Sequence, residues 1–235
     1  MLVAELQKRL AALGDPRAAE ASRRFFKTGP GEYGAGDLFR GIRVPVLRGL
    51  AREYEATSLP EAERLLGSPF HEDRLLALLI LVRLYARGDG AAREEIYRLY
   101  LKNTRRVNNW DLVDSSAEHI VGAHLWDRGR GPLRRLAKSA DLWERRIAVL
   151  ATFHFIKRGE VEETFNLARA LLSDREDLIH KAVGWMLREA GKRDPEAAER
   201  FLRQHHARMP RVMLRYAIER FPEEKRRQFV KGSRQ

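Results

Sequence analysis

Apolar residues recur at three- and four-residue intervals along almost the whole chain, the period of helices that bury one face. Leu2, Leu6, Leu10 and Leu13 begin the pattern and Gly14 stops it. Asp15-Pro16 places an N-cap before a proline at the first helical position, which predicts a second helix towards Phe25-Phe26. The pattern then lapses from Thr28 to Ile42, where five glycines and a proline in fifteen residues forbid a helix. A phosphate-binding nest there would lack its usual lysine and preceding strand, so the spacing predicts an ordered connector.

Helices come next, with no convincing strand between them. Pro45 opens one over 45–55, Ser58 and Pro60 open the next, and another runs from 71 to 87 before Gly88-Asp89-Gly90. Its apolar run, Leu75 to Val82, reads as buried on most sides and is far too short to span a bilayer. Further helices are expected over 91–103, from Asn109 to about 125, over 132–139, from the Asp141 cap to 158, over 161–172 and over 175–191. Pro195, Pro210 and Pro222 open the last three. Long helices begin near 71, 109, 142, 175 and 210, that is, 33 to 38 residues apart. Pairs of helices at such a period predict an all-α solenoid of degenerate HEAT-like repeats, superhelical and with a concave groove, forming a single domain over 1–235.

Composition adds charge to this picture. Lys+Arg number 45 against 33 Asp+Glu, a formal net charge of +12. Arginine dominates the excess, and its planar fork suits phosphate, so a polyanion is the expected partner and nucleic acid comes before a membrane. With no cysteine there is no disulfide or thiolate site, and the seven histidines show no ligand spacing, so neither metal nor cofactor is expected. The charged N-terminus lacks the apolar run of a signal peptide, which points to a cytoplasmic protein.

The unusual residues sit on the long helices. In Asn108-Asn109-Trp110-Asp111-Leu112-Val113-Asp114, Asn109 or Asn108 can cap a helix whose first turns carry Asp111 and Asp114. Trp110 and Asp114, four apart, share a face, so an aromatic plate lies beside a carboxylate, a pairing suited to a cationic or oxocarbenium-like species. A packed tryptophan with two acids serving the helix dipole is the alternative. The next long helix carries Arg146, and the one after it places Lys181 and Arg188 on the face of Trp185.

These stretches, with Trp143-Glu-Arg-Arg146, Lys181-Ala-Val-Gly-Trp185-Met-Leu-Arg188 and the Gly-Pro-Gly-Glu-Tyr-Gly loop, resemble the AlkD-like family of bacterial DNA glycosylases built from HEAT-like repeats. The resemblance runs over roughly 20–190. It implies excision of cationic N3- or N7-alkylated purines from double-stranded DNA without flipping the base. It also implies Asp114 as the catalytic carboxylate, Trp110 and Trp185 as plates against the deoxyribose, and Arg146 as a phosphate contact. Lys181 and Arg188 join it as expected DNA contacts, and a monomer is expected. A non-catalytic DNA-binding relative and a protein-interaction scaffold are the alternatives, since a solenoid alone implies no activity.

Overall fold

The computed structural model describes residues 2–231, and every regular element in it is a helix. The one strand-like contact among those residues is a parallel bridge between Leu38 and Phe70. The helices form two compact units that divide between Ile120 and Val121.

The first unit contains α1 (Leu2–Ala12), α2 (Pro16–Phe25), α3 (Val44–Glu53), α4 (Leu59–Leu66), α5 (His71–Arg87), α6 (Gly90–Lys102) and α7 (Trp110–Asp114). The caps read from the sequence are in place at α2, where Asp15 accepts from the N–H groups of Arg17 and Ala18. Helix α5 is the centre of the unit and packs against α3, α4 and α6. Leu75 to Leu81 are buried without a break, as a helix covered on several sides requires. The glycine-rich segment is tied down by the first turn of α5. Glu72 accepts from the backbone N–H groups of Arg40 (2.9 Å), Gly41 (2.8 Å) and Ile42 (3.3 Å), and Asp73 takes a two-pronged contact from Arg40. Gly41 has φ +80°, and a Cβ there would fall 2.2 Å from the Asp15 carbonyl, so only glycine lets this segment cross the start of α2.

The second unit contains α8 (Ala123–Leu125), α9 (Gly131–Leu136), α10 (Leu142–Ala151), α11 (Phe153–Ile156), α12 (Glu162–Ala170), α13 (Asp177–Arg193), α14 (Pro195–His205), α15 (Arg211–Ala217) and α16 (Glu223–Lys231). Here α13 is central, against α10, α12, α14 and above all α15. Gly184 allows that last approach, because a Cβ would lie 2.5 Å from the Met213 carbonyl. The single helix expected from Asp141 to 158 is two. It breaks at Thr152, whose hydroxyl donates to the Val149 carbonyl (2.7 Å), a back-bond that competes with the helical ladder. The helix expected from Asn109 to about 125 is also interrupted, by a π-helical turn over Glu118–Gly122. Gly122 then meets the Ala151 carbonyl at a distance that leaves no room for a Cβ.

A repeated local device underlies the period. Ser68 Oγ accepts from the Phe70 N–H (3.2 Å), and Arg74 Nη1 reaches back to the carbonyls of Ser68 (3.1 Å) and Pro69 (3.2 Å). Ser139 Oγ likewise accepts from the Asp141 N–H (3.0 Å), and Arg145 Nη1 reaches back to Ser139 (3.0 Å) and Ala140 (2.9 Å). In a third copy Asp174 Oδ1 accepts from the Glu176 N–H (2.9 Å) while His180 Nε2 donates to the Asp174 carbonyl (2.6 Å). Each of these long helices thus fastens the turn before it with a nitrogen-bearing side chain six residues after the turn's polar group. Arg74, Arg145 and His180 are each the fourth residue of their helix, and the fourth residue of α7 is the buried Val113.

Candidate active site

Helix α7 is five residues long and starts from a buried, extended Asn109, whose Oδ1 accepts from the Trp110 N–H (2.8 Å). Leu112 and Val113 are buried, and Trp110 and Asp114, on the same side of the helix, are each half-buried. The Trp110 indole stacks on Phe26 with ring centroids 5.3 Å apart at 25° and meets Phe25 edge-on at 5.8 Å. Phe26 stacks in turn on Phe39 (5.2 Å). Phe25 is 65% exposed, unusual for a phenylalanine next to a packed aromatic group. Below Asp114 lies Tyr100, fully buried, its hydroxyl 2.9 Å from Ser116 Oγ. Burial pushes the Tyr100 phenol pKa up, the bond to Ser116 opposes this, and the charge of Asp114 adds to the rise. Tyr100 therefore stays a neutral hydroxyl.

Beneath Trp110 is a layer of charge. His71 Nε2 lies 2.8 Å from Asp111 Oδ2, and its Nδ1 lies 3.3 Å from Asp37 Oδ2. Arg74 Nη2 is 2.8 Å from Asp37 Oδ1, which also accepts from Asn108 Nδ2 at 3.3 Å. Burial would raise the Asp37 pKa, but its bond to His71 and the charge of Arg74 prevail and lower it. Asp111, which the sequence assigns to the helix start, does accept from the Leu112 N–H (2.9 Å). Its other oxygen serves His71.

In the second unit Trp185 is half-buried on α13, its ring edge-on to Phe153 at 5.8 Å. Lys181, one turn earlier, keeps 42% of its side chain exposed and sits 3.5 Å from Asp177. Arg188 is more covered and pairs with Glu219 and with Glu189 (3.4 Å). Arg146, expected at phosphate, is 5% exposed, and its Nη1 donates to the Leu178 carbonyl (2.6 Å) at the start of α13. Its guanidinium thus holds a helix end in this arrangement, while its neighbour Arg145 binds Asp174 (2.7 Å).

Sequence reasoning missed Phe25 and Phe26 as neighbours of Trp110 and Phe39 as the ring behind Phe26, and it missed the His71–Asp37 pair altogether. The Phe25-Phe26 doublet, placed between Arg23-Arg24 and Lys27, was the available signal for the aromatic group. Among the described residues no group of three or more His, Asp or Glu side chains could hold a metal ion, and no helix is long and apolar enough to cross a membrane.

The model of the family of DNA alkylation repair enzymes matches residues 6–221. A solved structure described as a predicted DNA alkylation repair enzyme from Enterococcus faecalis is similar at a TM-score of 0.68 and 15% identity, over 89% of this chain and 97% of that one. At that identity the likeness speaks for the helical-repeat fold. No protein of curated function matches.

Proposed function

Because the chain belongs to the family of DNA alkylation repair enzymes, we propose that it is a DNA glycosylase, acting as a monomer on cationic N3- or N7-alkylated purines in double-stranded DNA. One observation carries the reading: Trp110 and Asp114 lie partly exposed on one side of α7, whose Leu112 and Val113 are buried. Alkylation leaves the purine positively charged. When the bond from C1′ to the base nitrogen breaks, its electron pair cancels that charge, and the base leaves neutral without help from an acid. Positive charge passes to the deoxyribose. Asp114 stabilises it and orients the water whose oxygen bonds to C1′ as its proton moves to the carboxylate.

Trp110 and Trp185 are the proposed plates against the sugar, each worth about 0.5–2 kcal/mol to a cation. Approach from the sugar-phosphate side leaves the lesion in the duplex, and no unstacking cost is incurred. Lys181, Arg188 and Arg146 are the proposed phosphate contacts. Lys181 needs the least rearrangement, since Arg188 and Arg146 must first exchange a carboxylate and a carbonyl for phosphate.

The test is release of free 7-methylguanine from a methylated duplex by the wild-type protein, and its loss in Asp114→Asn. Salt-dependent duplex binding without release would leave a non-catalytic DNA-binding protein, and neither binding nor release would leave an interaction scaffold.

A further inference from the structure

His71 is 2% exposed, and both of its ring nitrogens face carboxylate oxygens, Nδ1 that of Asp37 and Nε2 that of Asp111. A neutral imidazole carries one N–H, so it would turn a lone pair towards one of those oxygens; an imidazolium satisfies both. The surrounding charges agree. From the glycine-rich segment come Asp37 and Arg40, from α7 Asp111, and from α5 itself Glu72, Asp73 and Arg74. Arg40 is held by Asp73, and Glu72 is occupied by three backbone N–H groups. That leaves Asp37 and Asp111 with Arg74, one negative charge in excess unless the ring is protonated. Burial opposes the imidazolium, yet the bonds to Asp111 and Asp37 win and raise the His71 pKa to about 9.

Helix α7 needs such a support. At the place where other long helices carry the side chain that fastens their own turn, the fourth residue, it carries Val113, which has no polar group to reach back with. Phe26 and Phe39 pack on the His71 ring at 4.8 Å each, and Phe26 also stacks on Trp110, so the imidazole reaches the indole through Asp111 and through Phe26. We propose that His71, as an imidazolium bridging Asp37 and Asp111, is a positioning residue that sets the start of α7 and with it the Trp110–Asp114 pair. The assignment rests on the reading of that pair as the catalytic site.

Long-range proton–nitrogen spectra of the wild-type imidazoles, with His71 assigned by its loss in His71→Gln, test the claim directly. Both His71 nitrogens should be protonated at neutral pH and titrate near pH 9. The Trp110 fluorescence, taken as wild type minus Trp110→Phe, should change along the same curve. Single-turnover base release, corrected for spontaneous loss, should fall along it too, on the order of tenfold or more if α7 shifts by a fraction of an ångström. Asp111→Asn should move the titration down by about one pH unit or more, because one carboxylate is gone. A neutral His71 at neutral pH would overturn the proposal, and so would a Trp110 signal that stays flat while the imidazole titrates. Imidazole and fluorescence curves in register, with no base release at any pH, would uphold the positioning of Trp110 and sink the glycosylase reading instead.

Discussion

At the start of α10 the chain secures its own turn. Ser139 caps it, Arg145 reaches back to two carbonyls, and the same guanidinium binds Asp174. At the start of α7 the equivalent position is the buried Val113, and the helix is only five residues long. Its support comes from α5, through His71 and Asp111, and from the aromatic rings of Phe25 and Phe26. The repeat that gives up its internal fastening is the one that presents a tryptophan and a carboxylate. Val113 has no donor for the turn before it, so the holding role has moved to a neighbour.

The comparison breaks most severely where the fastening is removed. Arg145→Ala leaves Asp174, largely buried, without its cation, and two carbonyls without a donor. A loss of about 3–5 kcal/mol is expected, read as a lower denaturation midpoint, because an uncompensated buried charge remains. A cost under about 1 kcal/mol would reduce the device to decoration. Asp114→Asn, at matched folding, should leave stability nearly unchanged and lower single-turnover release of 7-methylguanine on the order of 10²–10³-fold. Duplex affinity should hold or rise slightly, since a carboxylate near phosphates repels the ground state. Equal rates would make Asp114 a structural acid.

The pH dependence of stability sharpens the contrast between the two helix starts. The His71 pKa is raised from 6.5 to about 9, so its stabilisation is fully present below about pH 6.5 and is lost as pH rises through 9. The full effect is on the order of 3 kcal/mol. The Asp37 pKa is lowered, so its share is present above the ordinary carboxylate range and is lost as pH falls through the depressed value. Denaturant melts from pH 5 to 10 should therefore show an alkaline decline in the wild type that His71→Gln lacks. The smallest effect is expected at Lys181→Ala. It should weaken binding to damaged and undamaged duplexes alike and flatten the logarithmic salt slope by about 1. A change in sequence preference would refute a pure phosphate contact.

How much of this was legible depends on the range of each interaction. Caps are local, and Asp15, Asn109 and Asp141 stand at the helix starts that the sequence predicts. That Trp110 and Asp114 share one side of a helix was legible because their relation is four residues long. His71-Glu72-Asp73-Arg74 reads as an ordinary solvated first turn, yet all four are buried, because the segment around Asp37 to Ile42 folds back over them. Hydrophobic periodicity carries no trace of that long-range contact. Nor did anything mark Thr152 as a break, since no glycine or proline is there. Arg146 lies on the expected helix, but the Leu178 carbonyl that takes its Nη1 comes from 32 residues away. Residue type gave the chemistry, and only the fold shows which partner had already claimed it.

The π-helical turn at Glu118–Gly122 has a consequence for how this chain can change over time. Such a turn accommodates one residue more than an α-helical turn, so the loss of a single residue there is absorbed by a return to regular winding, and the segments on either side keep their faces. Gly122 is the exception, because it meets the Ala151 carbonyl where there is no room for even a methyl group. Single-residue deletions within 118–121 should accordingly be tolerated better than deletions inside a regular buried helix, while Gly122 itself should persist among functional descendants of this sequence. At the tip of the connector around Gly31 and Gly36, where an added Cβ would meet nothing, length variation should be common.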